Sequence, residues 1–342
     1  MPEYAVQKIL YGIGAFLALL ILIGLVLPRH SRVEVSMSVD AQPATVFALV
    51  NDLRRVDLWS PKNATDPNAR VVFSGPYRGV GATVTWDGII IGSGTQTIVE
   101  SRPFGHVSTV INTGEPGEAR TWFDIVAADD GTQVTWGFEH DHGFNLVGRY
   151  VALLLSGVVR QEHEHGLAAL RELVETLPRS DFSDLEVEHI VVEPQQIAFL
   201  PATSTLDPAA ISDAMGKAYF EILSFIDEHG LAEAGAPISI VRSFQGASLR
   251  FDAAIPVRGV TDGTPREDGK VRLGTTYSGP VVRVKHLGSY RNLGLTHRKI
   301  AAYLAALGIE RAGDAWETYV SDPTKVNEAE LLTYVYYPIR NP

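Results

Sequence analysis

The sequence predicts an α+β protein made of an N-terminal transmembrane helix and two soluble domains. A charge-free apolar run opens the chain, six short strand-like segments and a long helical pattern follow, and the second half repeats a strand, a helix and a strand pair. At 342 residues the chain exceeds what one hydrophobic core usually serves. We therefore place an anchor at residues 1–30, a first domain at 31–178 and a second domain at 185–342.

The first segment is a candidate membrane span. From Ile9 to Leu27 the chain has 19 residues without a charge, between Lys8 and Arg29. With about 1.5 Å rise per residue, such a helix spans roughly the hydrocarbon core of a bilayer. A cleaved secretory signal is the alternative, but the run is long for one and no small-x-small cleavage site follows it. The sequence predicts an uncleaved single-pass anchor; the side of the soluble domains stays open because cations flank both ends.

The composition excludes several classes of protein. The formal net charge of −11 disfavours a nucleic-acid partner. The chain has no cysteine, which excludes disulfides and thiolate metal sites. It also lacks a phosphate-binding loop, a dinucleotide fingerprint, Gly-x-Ser-x-Gly and His-Glu-x-x-His. We predict no cofactor and no recognisable catalytic set, and the sequence leaves the oligomeric state open.

The first domain reads as one strand, one short helix, a meander and a long helix. Apolar and polar residues alternate over residues 33–39, which is typical of a half-buried strand, and Pro43 suits the first turn of the next helix. A closing helix is predicted over residues 145–177, before Pro178. Six runs punctuated by turn residues predict an antiparallel meander between them: RVVFSG, GATVTWDG, GTQTIVES, HVSTVINTG, ARTWFDIVAA and QVTWGFEH.

This order of elements resembles the polyketide cyclase/dehydrase-like branch of the START-like (SRPBCC) superfamily over residues 32–178. The pieces that carry the resemblance are AQPATVFALVNDLRRVDLWSP, FSGPYRGVGATVTWDG, GSGTQTIVESRPFGHV and GTQVTWGFEH, with HEHGLAALRELVE further on. The resemblance implies a helix-grip fold with a hydrophobic ligand pocket between the sheet and the long helix. Because the superfamily includes both enzymes and carriers, the fold alone does not choose a function.

Four of the five tryptophans fall in this domain and are candidates for lining its pocket: Trp59, Trp86, Trp122 and Trp136. Aromatic side chains often line sites for apolar ligands, and ordinary core packing is the alternative for each of them. The run YVALLLSGVV, residues 150–159, is apolar on all sides of the closing helix and too short to cross a bilayer. We expect it to face the pocket and the sheet, with contact to a membrane surface as the alternative.

Two histidine-rich stretches bear on metal binding. In EHDH an extended chain puts His140 and His142 on one face. On the closing helix His163 and His165 point about 200° apart, so they cannot bind one ion together. A tetrahedral site needs three or four ligands, and the spacing supplies no third one. We predict no metal site.

The second domain contains two related halves. The first half gives EVEHIVVEPQQIAFLPA, a helix over residues 208–229, PISIVRSF and LRFDAAIPV; the second gives SGPVVRVKHLGSY, a helix over residues 292–307, AWETYVSD and ELLTYVYYPI. Aligning Pro256 with Pro338 places Asp252 opposite Tyr334. We predict two β-α-β-β units with both helices on one face of a shared sheet and a groove at the pseudo-twofold axis on the other.

The pieces KHLGSYRNLG, WETYVSDP, ELLTYVYYP and RFDAAIPV resemble the GyrI-like effector-binding domain over residues 187–339. The resemblance implies recognition of bulky, often cationic or aromatic small molecules by aromatic walls and a buried carboxylate. Tyr334 stands where the family commonly carries glutamate, so we expect a neutral ligand. Sheet packing is the alternative for the aromatic residues, and a solvated rim position for the glutamate. The candidate ligand-binding residues are Trp316, Glu317, Tyr319, Tyr334 and Asp252.

These observations favour a membrane-anchored protein that binds small hydrophobic or aromatic molecules, as a sensor or carrier, with one pocket in each soluble domain. The alternative is an enzyme, a cyclase or hydrolase acting on an apolar substrate in the first pocket. A lipid or quinone carrier at the bilayer surface is a third hypothesis, which the anchor and residues 150–159 suit. Transcription control is disfavoured because no DNA-binding motif precedes the second domain.

Overall fold

The computed structural model describes residues 2–60, 66–114 and 117–340, with the backbone alone for residues 2–6 and 9. The chain divides into two units, Met1–Asp181 and Phe182–Pro342. Three residues at the outer bounds of the predicted anchor and second domain lie outside the described residues: Met1, Asn341 and Pro342.

Helix α1, Pro2–Val26, covers most of the predicted anchor. Large apolar side chains between Leu10 and Val26 are exposed on every side of this helix. In the part of the chain that the structure describes, no helix is long and apolar enough to cross a membrane. The last two turns of α1 reach the rest of the first unit, since the Tyr150 hydroxyl donates to the Leu20 carbonyl at 2.5 Å.

The described strands of the first unit form a seven-stranded antiparallel sheet in the order β1-β7-β6-β5-β4-β3-β2. Helix α2 spans Pro43–Val50, with its proline in the first turn, and helix α3 spans Leu146–Glu175. The strands predicted for this unit are confirmed: β1 His30–Val39, β2 Arg70–Ser74, β3 Thr83–Asp87, β4 Ser93–Arg102, β5 His106–Asn112, β6 Ala119–Ala128 and β7 Gly131–Asp141.

Helix α3 closes the sheet through its second half. Asn145 caps its start, because the side chain accepts a hydrogen bond from the Gly148 amide at 2.9 Å. Further along, Leu167, Leu170 and Val174 are buried in the core between the helix and the sheet. Burying each such side chain stabilises the fold by about 1.5–3 kcal/mol. The predicted closing helix is therefore confirmed.

The first half of α3 differs from the prediction. Residues 150–159, expected to face the pocket and the sheet, are largely exposed, with Leu154 at 80% and Val158 at 50%. The side of the helix that faces the sheet carries small residues in this half, Ala152 and Ser156. The larger apolar side chains of this half lie on the other faces of the helix, so the expectation was wrong for most of the run.

Two of the predicted pocket tryptophans lie over glycines of the neighbouring strand. Trp86 is opposite Gly94, and Trp122 is opposite Gly137. A Cβ atom at Gly94 would lie 2.5 Å from the Trp86 ring, and one at Gly137 would lie 2.1 Å from the Trp122 ring. Glycine is required at both positions because each indole occupies the space above its neighbour's backbone. Both rings therefore pack against the sheet itself.

The described strands of the second unit form one larger antiparallel sheet in the order β13-β14-β9-β12-β11-β16-β17-β15-β8, with β10 paired to β12. Helix α4 spans Pro208–Glu228 and helix α5 spans Leu293–Leu307. The strands are β8 Val187–Val192, β9 Gln196–Thr205, β10 Ala232–Glu233, β11 Ile238–Gln245, β12 Ser248–Arg258, β13 Glu267–Asp268, β14 Val271–Thr275, β15 Gly279–Leu287, β16 Trp316–Tyr319 and β17 Leu332–Pro338.

The two predicted β-α-β-β units are present. The first contains β9, α4, β11 and β12, and the second contains β15, α5, β16 and β17. Their strands β11 and β16 pair antiparallel at the centre of the sheet. The register places Asp252 beside Ile240 and Tyr334 beside Thr318. Since these two pairs hold equivalent positions about the central pairing, the alignment of Asp252 with Tyr334 is confirmed.

One predicted strand of the second unit is two strands. The segment EVEHIVVEPQQIAFLPA contains β8 and β9, which lie far apart in the sheet: β8 pairs with β15, whereas β9 pairs with β12 and β14. Pro194 falls between them and has no amide hydrogen to donate to a ladder. The chain turns there, and apolar content alone did not reveal the break.

The Trp122 and Gly137 pair gives a stability prediction. Gly137→Ala should lower the free energy of unfolding by about 1–3 kcal/mol, because the new methyl group overlaps the indole ring. Adding Trp122→Ala should make the double variant less destabilised than the sum of the two single variants. Urea unfolding of the full chain, followed by circular dichroism, measures both effects.

Gly157→Ala is the control, since no atom lies within 4 Å of a Cβ placed there. Alanine should leave the helix as stable or raise its stability by about 0.5–1 kcal/mol. Equal unfolding midpoints for Gly137→Ala and the unaltered chain would contradict the close packing of Trp122 on β7.

Candidate functional site

The sheet of the second unit has two faces with different chemistry. We call the side that carries α4 and α5 the helix face, and the opposite side the far face. In β16, Tyr319 packs on the helix face with residues of α5, so Glu317, two positions earlier, points the same way. Trp316 packs on the far face with Ile238 and Tyr336. The predicted site residues of β16 are therefore divided between the two faces.

Glu317 lies at the centre of the helix face. It is next to the pseudo-twofold axis, since Glu317 pairs with Ser239 where β16 meets β11. Glu317 is 9% exposed, and both of its carboxylate oxygens have hydrogen-bond partners. His297 of α5 places its Nε2 2.7 Å from Oε1, and the Tyr319 hydroxyl donates to Oε2. A buried carboxylate needs such donors, because burial without them is costly.

A hydrogen-bond chain runs from this carboxylate to Tyr337. The Tyr337 hydroxyl lies 2.8 Å from His297 Nδ1. Because the carboxylate only accepts, we assign the ring proton of a neutral His297 to Nε2, and Nδ1 then accepts from Tyr337. This assignment gives a hydrogen-bond partner to both nitrogens of His297, to the Tyr337 hydroxyl and to both Glu317 oxygens. It also fixes the His297 ring, which is 23% exposed, at the surface of the space between the two helices.

Side chains from both helical segments surround the carboxylate. Tyr219 of α4 donates its hydroxyl to the Ile238 carbonyl at 2.9 Å, and Met215 Sδ lies 3.9 Å from the Tyr319 hydroxyl. Tyr290, in the turn before α5, contacts Tyr319 edge to face with ring centroids 5.3 Å apart. We call this set the Glu317 crevice: Glu317, Tyr319, His297, Tyr337, Tyr219 and Tyr290. It offers one carboxylate and aromatic walls.

The tyrosines of the crevice are held in their neutral form. Burial is the main cause, and it raises the pKa of Tyr219, Tyr290 and Tyr319 above 10.0, with the nearby Glu317 carboxylate adding to each shift. Burial likewise raises the pKa of Tyr337 to about 12. These phenols therefore remain hydrogen-bond donors at neutral pH.

The other predicted residues of the second unit meet on the far face. Trp316 stacks on Tyr336 with ring centroids 4.7 Å apart, and Tyr334 lies 6.3 Å from Tyr336. The Arg283 guanidinium covers the Tyr334 ring at 4.7 Å. Asp252 is buried and paired with Arg242 at 2.7 Å. Trp316, Tyr334 and Asp252 therefore share a face from which Glu317 and Tyr319 are absent.

In the first unit, the two remaining predicted tryptophans belong to one aromatic cluster. Trp59 and Trp136 contact each other at 5.5 Å between ring centroids, and Phe123 stacks on Trp136 at 5.1 Å. His163 of α3 also stacks on Trp136, with ring centroids 4.1 Å apart. Trp136 donates its indole hydrogen to the Thr121 hydroxyl at 2.7 Å. This cluster lies between the sheet and the middle of α3, at the border of its buried and exposed halves.

The histidines weighed as metal ligands form a local pair. The rings of His140 and His142 lie 4.4 Å apart, and His142 Nε2 is 3.0 Å from the Ser31 hydroxyl. Burial is the main cause that lowers the pKa of His142, and the neighbouring His140 adds to it. Among the described residues no group of three metal-ligating side chains comes together.

Two clefts among the described residues lie away from the predicted sites. One of about 450 Å³ is lined by polar residues that include Asp40, Asp130 and Arg179. The other, of about 220 Å³, is lined by residues that include Val260, Arg266 and Leu273. Neither contains a predicted site residue. The Glu317 crevice differs from both clefts, because it combines a buried carboxylate with converging hydrogen-bond donors.

Comparison with known families assigns both units. Residues 30–175 match the family described as polyketide cyclase/dehydrase and lipid transport, and residues 185–340 match the GyrI-like small molecule binding domain. The chain thus joins a polyketide cyclase-like (SRPBCC) domain to a GyrI-like domain, and both are small-molecule-binding domains. The two resemblances predicted from the sequence are confirmed.

Similar solved structures each correspond to part of the chain. An EcmrR–DNA complex is 13% identical over 46% of this chain and 58% of its own, with a TM-score of 0.38. An uncharacterized conserved protein from Listeria innocua is 16% identical over 45% and 92%, with a TM-score of 0.35. A Thalictrum norcoclaurine synthase is 10% identical over 43% and 95%, with a TM-score of 0.35. No curated protein matches the chain.

Four residues of the crevice were not predicted from the sequence: His297, Tyr290, Tyr219 and Tyr337. A signal for two of them was present, because Tyr290 and His297 are seven residues apart and so lie on one side of α5 and its preceding turn. Strand alternation also separates Glu317 from Trp316, which argues against one site containing both. The contact of His297 with Glu317 joins separate elements, and no local pattern encodes it.

Tyr337 gives a prediction about pH. Its pKa rises from 10.0 in the unfolded chain to about 12 in the folded one. Above pH 10 the unfolded chain loses the phenolic proton that the folded chain keeps, so this group lowers stability as pH rises. The loss reaches about 1.4 kcal/mol one pH unit above 10, and below pH 10 it vanishes.

Tyr337→Phe should reduce this alkaline loss by that amount, because phenylalanine carries no proton to release. Urea unfolding midpoints measured in steps from neutral pH to about pH 11 provide the comparison. Tyr77→Phe, at an exposed tyrosine of the first unit, is the matched control. Parallel pH profiles for the unaltered chain and Tyr337→Phe would show that burial does not hold this phenol neutral.

Proposed function

We propose that this protein is a membrane-attached receptor for a small aromatic molecule that carries a hydrogen-bond donor, and that the Glu317 crevice is its binding site. The observation that carries the proposal is the buried Glu317 carboxylate between the two helical segments. Its neighbours Tyr319 and His297 satisfy it in the free protein, and a carboxylate has lone pairs left for one further donor. The aromatic walls would hold the ring of the ligand.

The charge of the ligand follows from what surrounds the carboxylate. Glu317 is the only acidic side chain of the crevice as defined, and the crevice contains no lysine or arginine. An anionic ligand would be repelled by the Glu317 carboxylate. It would also lose its hydration without gaining an opposite charge in return. A neutral donor such as an alcohol, or an amine, would gain a hydrogen bond. Because Tyr319 and His297 already offset part of the charge, we expect a neutral donor to bind nearly as well as a cation.

The first unit supplies a second binding domain, and we propose an apolar ligand for it. Support comes from the aromatic cluster of Trp59, Phe123 and Trp136, which lies beneath the middle of α3. A sensor and a carrier are both compatible with two binding domains in one chain. The cyclase or hydrolase alternative stays a prediction, because no nucleophile with an adjacent base is associated with this cluster in the described residues.

Three naphthalene probes of one size test the site: 1-naphthylmethanol, 1-naphthylmethylamine and 1-naphthoate. The alcohol and the amine should bind and the carboxylate should not. Glu317→Gln keeps the volume and removes the acceptor charge, so it should weaken the alcohol and the amine by roughly tenfold or more. Isothermal titration calorimetry of the full chain in detergent measures all three affinities.

Tyr334→Phe is the control, since Tyr334 lies on the far face with the other predicted residues. It should leave all three affinities unchanged. A loss of binding in Tyr334→Phe with normal binding in Glu317→Gln would place the site on the far face instead. Native mass spectrometry of the purified chain, followed by analysis of any released molecule, identifies the natural ligand class.

We propose attachment to a bilayer through α1. Support comes from the charge-free run Ile9–Leu27 and from the apolar side chains exposed on all sides of the helix, a pattern that water does not stabilise. The full chain should remain with membranes after an alkaline carbonate wash. Leu17→Arg with Ile21→Arg should release it, because each charge costs about 2.5–3.5 kcal/mol at the centre of a membrane helix.

Leu17→Val with Ile21→Val is the matched control and should stay with the membranes. If the unaltered chain already appears in the carbonate supernatant, the attachment through α1 is wrong. Release of both double variants would indicate a defect in folding rather than in membrane contact.

A further inference from the structure

An apolar stripe lies on the outward side of the first half of α3. Four side chains at helical spacing form it, and all are exposed: Val147 at 72%, Val151 at 42%, Leu154 at 80% and Val158 at 50%. Phe144, just before the helix, is 93% exposed. We call these five residues the α3 stripe. Exposed apolar surface of this extent on a soluble domain indicates an interaction site.

The stripe ends at a defined place on the helix. After Val158 the exposed positions of α3 become polar or charged, as at Arg160, Glu162 and Glu172. The buried positions of the second half, such as Leu167, continue on the opposite side, toward the sheet. Only the first half of α3 therefore offers an apolar outer surface, about as long as an interfacial segment.

Arg149 fixes this half of α3 to the end of α1. Its Nη1 lies 3.1 Å from the carbonyl oxygens of Gly24 and Leu27, and its Nη2 lies 2.7 Å from the Gly143 carbonyl. The guanidinium is buried, with Arg149 8% exposed. It meets carbonyls at the end of α1 that have no partner within the helix. The end of α1 is thus bound to the first turn of α3.

This connection makes α1 and the α3 stripe neighbours. Gly24 of α1 faces Leu146 and Tyr150, and these two lie beside Val147 on the surface of α3. A bilayer that surrounds α1 would then meet the stripe as well. One protein partner covers one side of a helix, whereas α1 exposes apolar side chains on all sides, which acyl chains can cover together.

We propose that the α3 stripe docks the first unit onto the lipid bilayer, with these side chains inserted at the level of the headgroups and upper acyl chains. This inference rests on the proposed attachment through α1 and adds a second contact to it. It places the exposed half of α3, which begins beside the aromatic cluster of Trp136 and His163, against the membrane. An apolar ligand would then pass between the bilayer and the first unit without crossing water.

Single-cysteine labelling tests the docking on the full chain, which has no cysteine of its own. An environment-sensitive NBD label is placed at Leu17→Cys in α1, at Val147→Cys and Leu154→Cys in the stripe, and at Glu172→Cys on the polar half of α3. Each protein is reconstituted into phosphatidylcholine and phosphatidylglycerol vesicles, with and without doxyl-labelled lipid. The doxyl group quenches only labels that contact lipid.

We expect the labels at Val147 and Leu154 to shift to the blue and to be quenched by roughly twofold or more relative to Glu172, as for side chains at an interface. Quenching at Leu17 with stripe labels that behave like Glu172 would overturn the docking and leave the attachment standing. A lack of quenching at Leu17 would overturn both. A blue shift at Leu154 that depends on protein concentration and not on doxyl lipid would assign the stripe to a second copy of the chain.

Discussion

Successive side chains of a β-strand point to opposite faces, and this constraint determines which residues of each unit meet. In β16 it sends Trp316 to the far face and Glu317 to the helix face. In β6 it separates Trp122, which lies over Gly137, from Phe123, which stacks on Trp136. Residues that are adjacent in the sequence therefore contribute to different faces of the sheet. A binding site on one face of the sheet can therefore contain only alternate residues of each strand.

The central pairing of β11 with β16 adds a second constraint. Related backbones meet there, yet the paired residues differ, with Ser239 on one strand and Glu317 on the other. The duplication therefore has symmetric geometry and asymmetric chemistry. Only one half contributes a carboxylate near the axis, where side chains of both helical segments reach it. The donors Tyr319 and His297 make the burial of that charge tolerable, and their hydrogen bonds also fix its orientation.

Periodicity in the sequence was sufficient to predict most elements, because the alternation in β1 and the stripe of Leu167, Leu170 and Val174 reflect burial directly. It was insufficient for the exposed half of α3, because an apolar run is compatible both with a core helix and with an exposed apolar surface. It was also insufficient for the crevice. His297 and Glu317 meet only after two elements have packed on one sheet, and contacts of that kind leave no local signal.

The buried Arg149 connects the end of α1 to the fold of the first unit. The last carbonyls of a helix lack partners within it. A guanidinium supplies several donors in one plane: the two hydrogens of Arg149 Nη1 are directed at the carbonyls of Gly24, Leu25 and Leu27, while Nη2 donates to Gly143. The cost of burying this charge is offset only while the carbonyls at the end of α1 stay within hydrogen-bond distance of it. A flexible tether would need no such residue, so Arg149 indicates that α1 is held at a fixed position on the first unit.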